Sequence, residues 1–300
     1  MTGSPQQEYL SILEENSFTI LYHIIKGENR TMSETTTAIL VVSFGTSFED
    51  TRKLTIDAIE QDIRDAFPKC HIYRAWTSKM IMAKLLKRDH VKINNVKEAM
   101  KQMHEDGITD VIVQPTHVMN GVENDLMKED ALSCRGLFSS VTFGTPLLTS
   151  EEDSTVMIQA IHGEFSDLKP QEALVLMGHG TTHYANSIYA ALDYKFKDLG
   201  YSNIFVGTVE AYPSFDTLLR QLSAFHPAKV ILAPFMIVAG DHARNDMAGE
   251  DEDSWCSQLV RAGYEVSCTV KGLGEYPVVR KLLISHINAA MKEADVQSVD

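Results

Sequence analysis

Val175-Leu176-Met177-Gly178-His179-Gly180-Thr181-Thr182 runs from an apolar segment into a histidine held between two glycines, and a helical pattern resumes within a few residues. An apolar run that stops this sharply reads as a buried parallel strand. His179 then stands at the carboxyl end of that strand, the edge at which open α/β sheets bind ligands. Gly178 and Gly180 are expected to keep the backbone small around the imidazole, so that a ligand can approach it closely. Taken alone, His179 also has the plain reading of an ordinary turn histidine.

Outward from this stretch, strand and helix patterns alternate. Ala38 to Phe44 is apolar, Thr46-Ser47-Phe48-Glu49 has the form of a capping box, and Ile56, Ile59, Ile63 and Phe67 recur at helical spacing up to Pro68. Strands are expected over His71–Trp76, Asp110–Val118, Val141–Leu148, Ile204–Glu210, Lys229–Val238 and Glu265–Val270. The intervening helices are expected around Val96–Met103, Met157–Phe165, Asn186–Leu199, Phe215–Phe225 and Trp255–Leu259. A last amphipathic helix carries Val279, Leu282, Leu283, Ile287 and Met291. Strands separated by helices of this length imply right-handed βαβ units and parallel sheets.

The chain has 300 residues, is 44% hydrophobic and 23% charged, and carries a formal charge of −14. The composition is that of an ordinary globular protein with room for two modest domains. An acidic balance argues against nucleic acid or an anionic membrane surface as partner. Cys70, Cys134, Cys256 and Cys268 lack C-x-x-C spacing, which speaks against a zinc knuckle or a disulfide framework and suits a reducing cytoplasm. No apolar run approaches a membrane span. The first 37 residues lack the basic start of a secretory signal, and Met32 is a candidate natural start.

The two halves resemble each other. Ala38 to Thr46 lies over Ala173 to Thr181 with Phe44 where His179 stands, and Val113-Gln114-Pro115 to Glu123 lies over Leu232-Ala233-Pro234 to His242. The shared proline and glycine favour a duplicated fold with a cleft between its halves, faced by His179, His242 and Glu123. In the second half His179, Glu210 and His242 all lie just beyond strand ends. Two imidazoles and a carboxylate with an open position suit a divalent first-row metal that must be held and also exchanged. Each residue also has a plain structural reading: a turn histidine, a helix-end charge, a surface loop residue. A phosphohistidine mechanism is disfavoured because Gly178 stands where a phosphate-clamping arginine would be needed. No glycine-rich phosphate loop is present, so nucleotide-driven chemistry has no visible site.

Ser43-Phe44-Gly45-Thr46-Ser47, Met177-Gly178-His179-Gly180, Val209-Glu210-Ala211-Tyr212-Pro213 and Val238-Ala239-Gly240-Asp241-His242-Ala243 resemble the motifs of the sirohydrochlorin cobaltochelatases of the anaerobic cobalamin pathway. Asn245-Asp246-Met247-Ala248, Asp253-Ser254-Trp255 and Gly272-Leu273-Gly274-Glu275 extend the match over about residues 38 to 295. The resemblance implies an ATP-independent chelatase related to the protoporphyrin ferrochelatases. It implies two Rossmann-like α/β domains with parallel sheets, related by pseudo-twofold duplication, and an active site in the cleft between them. By motif, His179, Glu210 and His242 would bind the metal, and Glu123 would assist the chemistry together with His179 and His242. Co²⁺ would be the substrate metal, sirohydrochlorin the organic substrate, and no nucleotide would take part.

An anionic tetrapyrrole needs local positive charge on an acidic protein. Arg74 and Lys79, near the end of the second strand, are the expected anion contacts, while Lys84, Lys87 and Arg88 read as a solvated helix face. Phe44, Thr46 and Ser47 are expected to line the ring site as an apolar face and hydroxyl donors; Thr46 and Ser47 have a helix cap as their structural alternative. His183 reads as a helix-start residue, His117 as core, and Met80 as core or pocket lining. The expected division is an N-terminal extension over 1–37, for which disorder is one reading, then α/β domains over 38–149 and 150–275 and a packing helix over 276–300. The extension is the departure from the family pattern, since the common cytoplasmic form lacks it; some relatives are exported and associate with haem, which bears on localisation. A non-catalytic tetrapyrrole or metal carrier, and a chelatase for Ni²⁺ or Fe²⁺, are the alternatives. The oligomeric state is left open, a homo-oligomer included.

Overall fold

The computed structural model describes residues 36–297. The extension over 1–35 and the candidate start at Met32 lie outside the described residues. Strand β1 (Thr37–Ser43) pairs with β2 (His71–Trp76) on one side and β3 (Asp110–Pro115) on the other, and β4 (Ser140–Phe143) completes the first sheet in the order β2-β1-β3-β4. The second sheet repeats this arrangement with β5 (Glu172–Gly178), β6 (Ile204–Thr208), β7 (Lys229–Pro234) and β8 (Glu265–Cys268), in the order β6-β5-β7-β8. All pairings are parallel. Helices α1 (Glu49–Leu54) and α2 (Ile56–Ala66) follow β1, α3 (Lys79–Asp89) and α4 (Val96–Glu105) follow β2, and α5 (Val122–Leu132) follows β3. Helix α6 (Glu151–Glu164) leads into the second sheet, where α7 (Ser187–Asp198), α8 (Phe215–Phe225) and α9 (Trp255–Arg261) follow β5, β6 and β7; α10 (Pro277–Gln297) ends the described chain.

The continuous apolar runs have a simple cause, because each sheet is covered on both faces. In β1, Ile39 and Val41 enter a central cluster, whereas Ala38, Leu40 and Val42 enter an outer one with Met100 and Met103 of α4. In β5, Leu174 and Leu176 join the same central cluster, and Ala173, Val175 and Met177 face outward to Leu218, Leu222 and Leu259. A buried aliphatic side chain contributes about 1.5–3 kcal/mol, so these strands have no slack in register. The central cluster takes residues from both sheets and from α10, whose Val279, Leu283 and Ile287 are fully buried. From Thr36 onward the chain is one compact unit.

Polar bonds also cross the seam. Arg280 donates to Asp62 at 2.7 Å and to the carbonyls of Gly274 and Glu275. His286 of α10 bonds the Thr145 carbonyl and the Asp153 carboxylate, each at 3.1 Å, and Asp153 in turn caps α6 through the Thr149 and Ser150 amides.

Two details refine the sequence reading. The third strand of each sheet stops at a proline, Pro115 or Pro234, earlier than expected. Beyond it the chain pairs irregularly with the segment after the fourth strand: Leu147 donates to the His117 carbonyl in one half, Leu273 to the Met236 carbonyl in the other. This shared irregularity and the shared strand order are what a duplication predicts. The capping box over Thr46–Glu49 does not form. Phe48 is the N-cap of α1, with no side-chain cap bond, and the Thr46 hydroxyl accepts the Phe48 amide instead.

Candidate metal centre

The β5 backbone continues past Gly178 as a short ladder: the Val209 and Glu210 amides donate to the carbonyls of Gly178 and His179, both at 3.0 Å. This sets Glu210 beside His179, with Oε2 3.7 Å from the imidazole Nδ1. His242 arrives from the loop after β7, as the N-cap of a π-helical turn over Ala243–Met247. Its ring stands edge-on to that of His179, with centroids 4.6 Å apart. One ligand atom from each of His179, Glu210 and His242 lies within 4.8 Å of the others, and no other group of this kind occurs among the described residues.

Hydrogen bonding fixes which nitrogen each imidazole can offer. The Nδ1 of His179 lies 2.8 Å from the Gly180 carbonyl, which can only accept, so Nδ1 carries the proton and the lone pair of Nε2 is free for a metal. The Nδ1 of His242 lies 2.5 Å from the Asp246 carboxylate, which again leaves Nε2 free. A carboxylate behind an imidazole orients the ring and raises its basicity toward a metal. The side chains of His179 and Glu210 keep 39% and 54% of their surface, so the cluster opens to solvent instead of closing on itself. Three N/O ligands with an open face can accept an aqueous ion and release it again.

The glycines around His179 serve the scaffold. A Cβ at Gly178 would stand 2.2 Å from the Tyr189 ring, and Gly180 has a φ of +87° with the Ala211 amide 2.9 Å from its would-be Cβ. Tyr189 is 2% exposed, and burial pushes its pKa up to about 12. Tyr189 went unread in the sequence because it looks like any apolar position of a helix.

Several large side chains in the segments that follow the strands are left exposed by the fold. Phe44, 39% exposed, has its ring 6.5 Å from His179. Met80 (79%), Leu126 (50%), Tyr184 (84%) and Tyr212 (62%) lie in segments following β2, β3, β5 and β6 at the same sheet edges. Met80 is therefore not core. Glu123 sits half-buried in the first turn of α5. Two residues along this helix, Asp125 lies 3.4 Å from Nε2 of His183, which ties α5 to the loop after His179. His183 meanwhile caps the short turn Tyr184–Asn186, as expected of a helix-start residue.

Other expected substrate contacts lie elsewhere. Arg74 is paired with Glu60 and Asp57 of α2, so its charge is already neutralised within the first half. Thr46 and Ser47 are 3% and 8% exposed, and Thr46 lies against Gly240, so they are packing residues and not a hydroxyl-lined floor. Lys79 is exposed at the start of α3, next to Met80. His117 retains some surface as a residue, yet both ring nitrogens are buried without a partner, and burial lowers its pKa to about 4.

Solved structures with this fold include SirB from Bacillus subtilis with Fe³⁺, at a TM-score of 0.59 and 11% identity, covering 87% of this chain and 98% of that one. CbiX, described as the terminal enzyme for biosynthesis of sirohaem in denitrifying bacteria, aligns at a TM-score of 0.51 and 15% identity over 84% of this chain and 99% of that one. At such identities they speak for the fold alone, that of the two-sheet α/β chelatases. The sequence pattern of the family described as cobalt chelatase (CbiK) matches residues 37–292. The sirohydrochlorin cobaltochelatase of Salmonella typhimurium is 38% identical over 257 residues, 86% of this chain and 97% of that protein. The sirohydrochlorin cobaltochelatase CbiKC of Nitratidesulfovibrio vulgaris is 31% identical over 260 residues, 86% of this chain and 91% of its own. The protein is thus a metal-chelating enzyme of the α/β chelatase class. More narrowly, the chain belongs to the cobalt chelatase (CbiK) family.

Proposed function

We propose that this protein inserts Co²⁺ into sirohydrochlorin without nucleotide hydrolysis, as a step of anaerobic cobalamin synthesis in the cytoplasm. The observation that carries the reading is the convergence of His179, Glu210 and His242 within 4.8 Å at an open sheet edge, in a chain of this family. In this reading the halves act as two domains, 38–149 and 150–275, with α10 packed over them. Co²⁺, as substrate, is held by Nε2 of His179, Nε2 of His242 and the Glu210 carboxylate. The macrocycle lies against Phe44, Met80, Leu126, Tyr184 and Tyr212, whose exposed apolar surface suits a flat ring. Lys79 meets one of its peripheral carboxylates.

Insertion forms bonds from the four ring nitrogens to Co²⁺ and breaks two pyrrole N–H bonds, so two protons leave for each metal inserted. Glu123, in the first half, accepts one of these protons and passes it to solvent, and solvent water takes the other directly. The protein ligands are exchanged for ring nitrogens, which an open three-ligand site permits and a closed thiolate site would resist.

The test is an anaerobic spectroscopic assay of Co²⁺ insertion, with Ni²⁺ and Fe²⁺ in parallel arms. Many turnovers with Co²⁺, lost in His179→Ala and His242→Ala variants that remain folded, are expected. Stoichiometric binding of the ring with no gain in insertion rate makes the protein a carrier, and faster turnover with Ni²⁺ or Fe²⁺ reassigns the metal.

A further inference from the structure

All three metal ligands hang from the second sheet, whereas Phe44, Met80, Leu126 and Glu123 belong to the first half. Insertion brings metal and ring nitrogens to bonding distance, about 2 Å. The gap between the two edges must therefore be held to a fraction of an ångström. One residue bridges that gap directly behind a ligand. Arg244, in the π-helical turn that His242 caps, reaches across to the beginning of α1. Its Nη2 donates to the Asp50 carboxylate at 2.5 Å and to the Thr51 hydroxyl at 2.9 Å, and its guanidinium stacks on the Phe48 ring at 4.4 Å. On its own side, Nε donates to the Ala239 carbonyl at 3.4 Å, and the Thr51 hydroxyl donates to that same carbonyl at 3.3 Å. One guanidinium thus holds the backbone leading into His242 and the segment that continues from Phe44.

Resting on the chelatase reading, we propose that Arg244 is a positioning residue for metal insertion, setting the distance between the metal ligands and the first-half wall that receives the macrocycle. A planar fork that both hydrogen-bonds and stacks is something lysine cannot reproduce. The clamp contributes little to global stability. Its ion pair is largely solvated, with 35% and 64% of the Arg244 and Asp50 side chains exposed. The halves are joined independently by the shared apolar cluster and by Arg280–Asp62. Its effect therefore falls on geometry.

The experiment compares the full-length wild type with Arg244→Lys, Arg244→Ala and Thr51→Val. It measures melting temperature, Co²⁺ affinity without the ring, kcat and KM for insertion, and amide hydrogen exchange. Arg244→Ala is expected to bind Co²⁺ within about twofold of wild type, because its ligands stay in one half, while kcat falls about a hundred-fold, as misplacement by an ångström does. Arg244→Lys falls between the two, and Thr51→Val shows a smaller loss in the same direction. Exchange rises together over 44–51 and 240–248 in Arg244→Ala. An unchanged kcat overturns the proposal. So does a Co²⁺ affinity that drops in step with kcat, since Arg244 would then serve His242 alone, and so does faster exchange confined to one of the two segments. The exchange comparison reads the clamp even if the wild type fails to turn over, which is the outcome that would sink the chelatase reading instead.

Discussion

The two sheets carry the same turn with opposite chemistry. After β1 the chain reads Phe44-Gly45, with a Gly45 φ of +104°; after β5 it reads His179-Gly180, with a Gly180 φ of +87°. Both glycines adopt the left-handed conformation a side chain would resist, and both lie against the end of the neighbouring strand, Trp76 in one case and Thr208 in the other. One backbone device thus displays an apolar ring on the first edge and an imidazole of the candidate metal cluster on the second. The loops after the third strands differ likewise: Glu123 starts an α-helix, whereas His242 starts a π-helical turn backed by Asp246. Duplication supplied two equivalent edges, and only the second brings two imidazoles and a carboxylate together; in the proposed reading this separates holding the metal from receiving the ring.

The largest effect comes from removing the residue that distinguishes the edges. His179→Ala is expected to weaken Co²⁺ binding by more than about a hundred-fold, exceeding the usual cost of losing a group behind a ligand, and to abolish turnover. Adding Phe44→His to that variant restores neither, because the ring at position 44 is centred 6.5 Å from the place of the His179 imidazole; Co²⁺ titration and the insertion assay check both points. Next, Glu123→Gln is expected to lower kcat about a hundred-fold while leaving Co²⁺ affinity unchanged, as befits a proton acceptor on the ring side. A parallel loss of Co²⁺ affinity would erase the proposed division of labour between the edges.

A third test spares the edges and attacks the seam. Asp153→Ala leaves His286 facing only the Thr145 carbonyl and removes the Asp153 half of the capping box of α6, which is expected to destabilise the protein by about 3 kcal/mol in urea unfolding, while Co²⁺ affinity of the folded protein is retained. The smallest effect contrasts the histidines themselves. His117, at the first edge, has a pKa of about 4 because its ring is desolvated, well below the usual 6.5. The unfolded chain therefore binds this proton more readily than the native one. The stability it contributes is complete above pH 6.5 and is lost as pH falls through about 4, with roughly 2 kcal/mol gone at pH 5. His117→Leu should flatten that part of the stability profile, measured as urea midpoints between pH 7 and pH 5.

Much of this was legible in the sequence because it depends on short-range pattern. Alternation of apolar strands with amphipathic helices sets the α/β class, and strand-end position brings His179, Glu210 and His242 together once the strands are parallel. The Phe44 and His179 correspondence is visible for the same reason, since a repeated turn repeats its glycine. Side-chain partners distant in sequence were not legible. Arg74 looks like an anion contact until α2 folds back and lays Asp57 and Glu60 over it. Met80 fits core or pocket lining in the sequence, and α3, which turns it outward to 79% exposure, removes the first of these. Helix α5 buries Asn124 along with Met127 and Ala131, a face too polar to announce itself. Arg244 reads as one more surface charge until the halves close and set Asp50, Thr51 and Phe48 around it. Periodicity and turn chemistry are properties of neighbouring residues and are written in the chain. Which charges are neutralised, which apolar side chains remain uncovered and which residues span the cleft depend on elements meeting across the fold, and only the tertiary structure decides them.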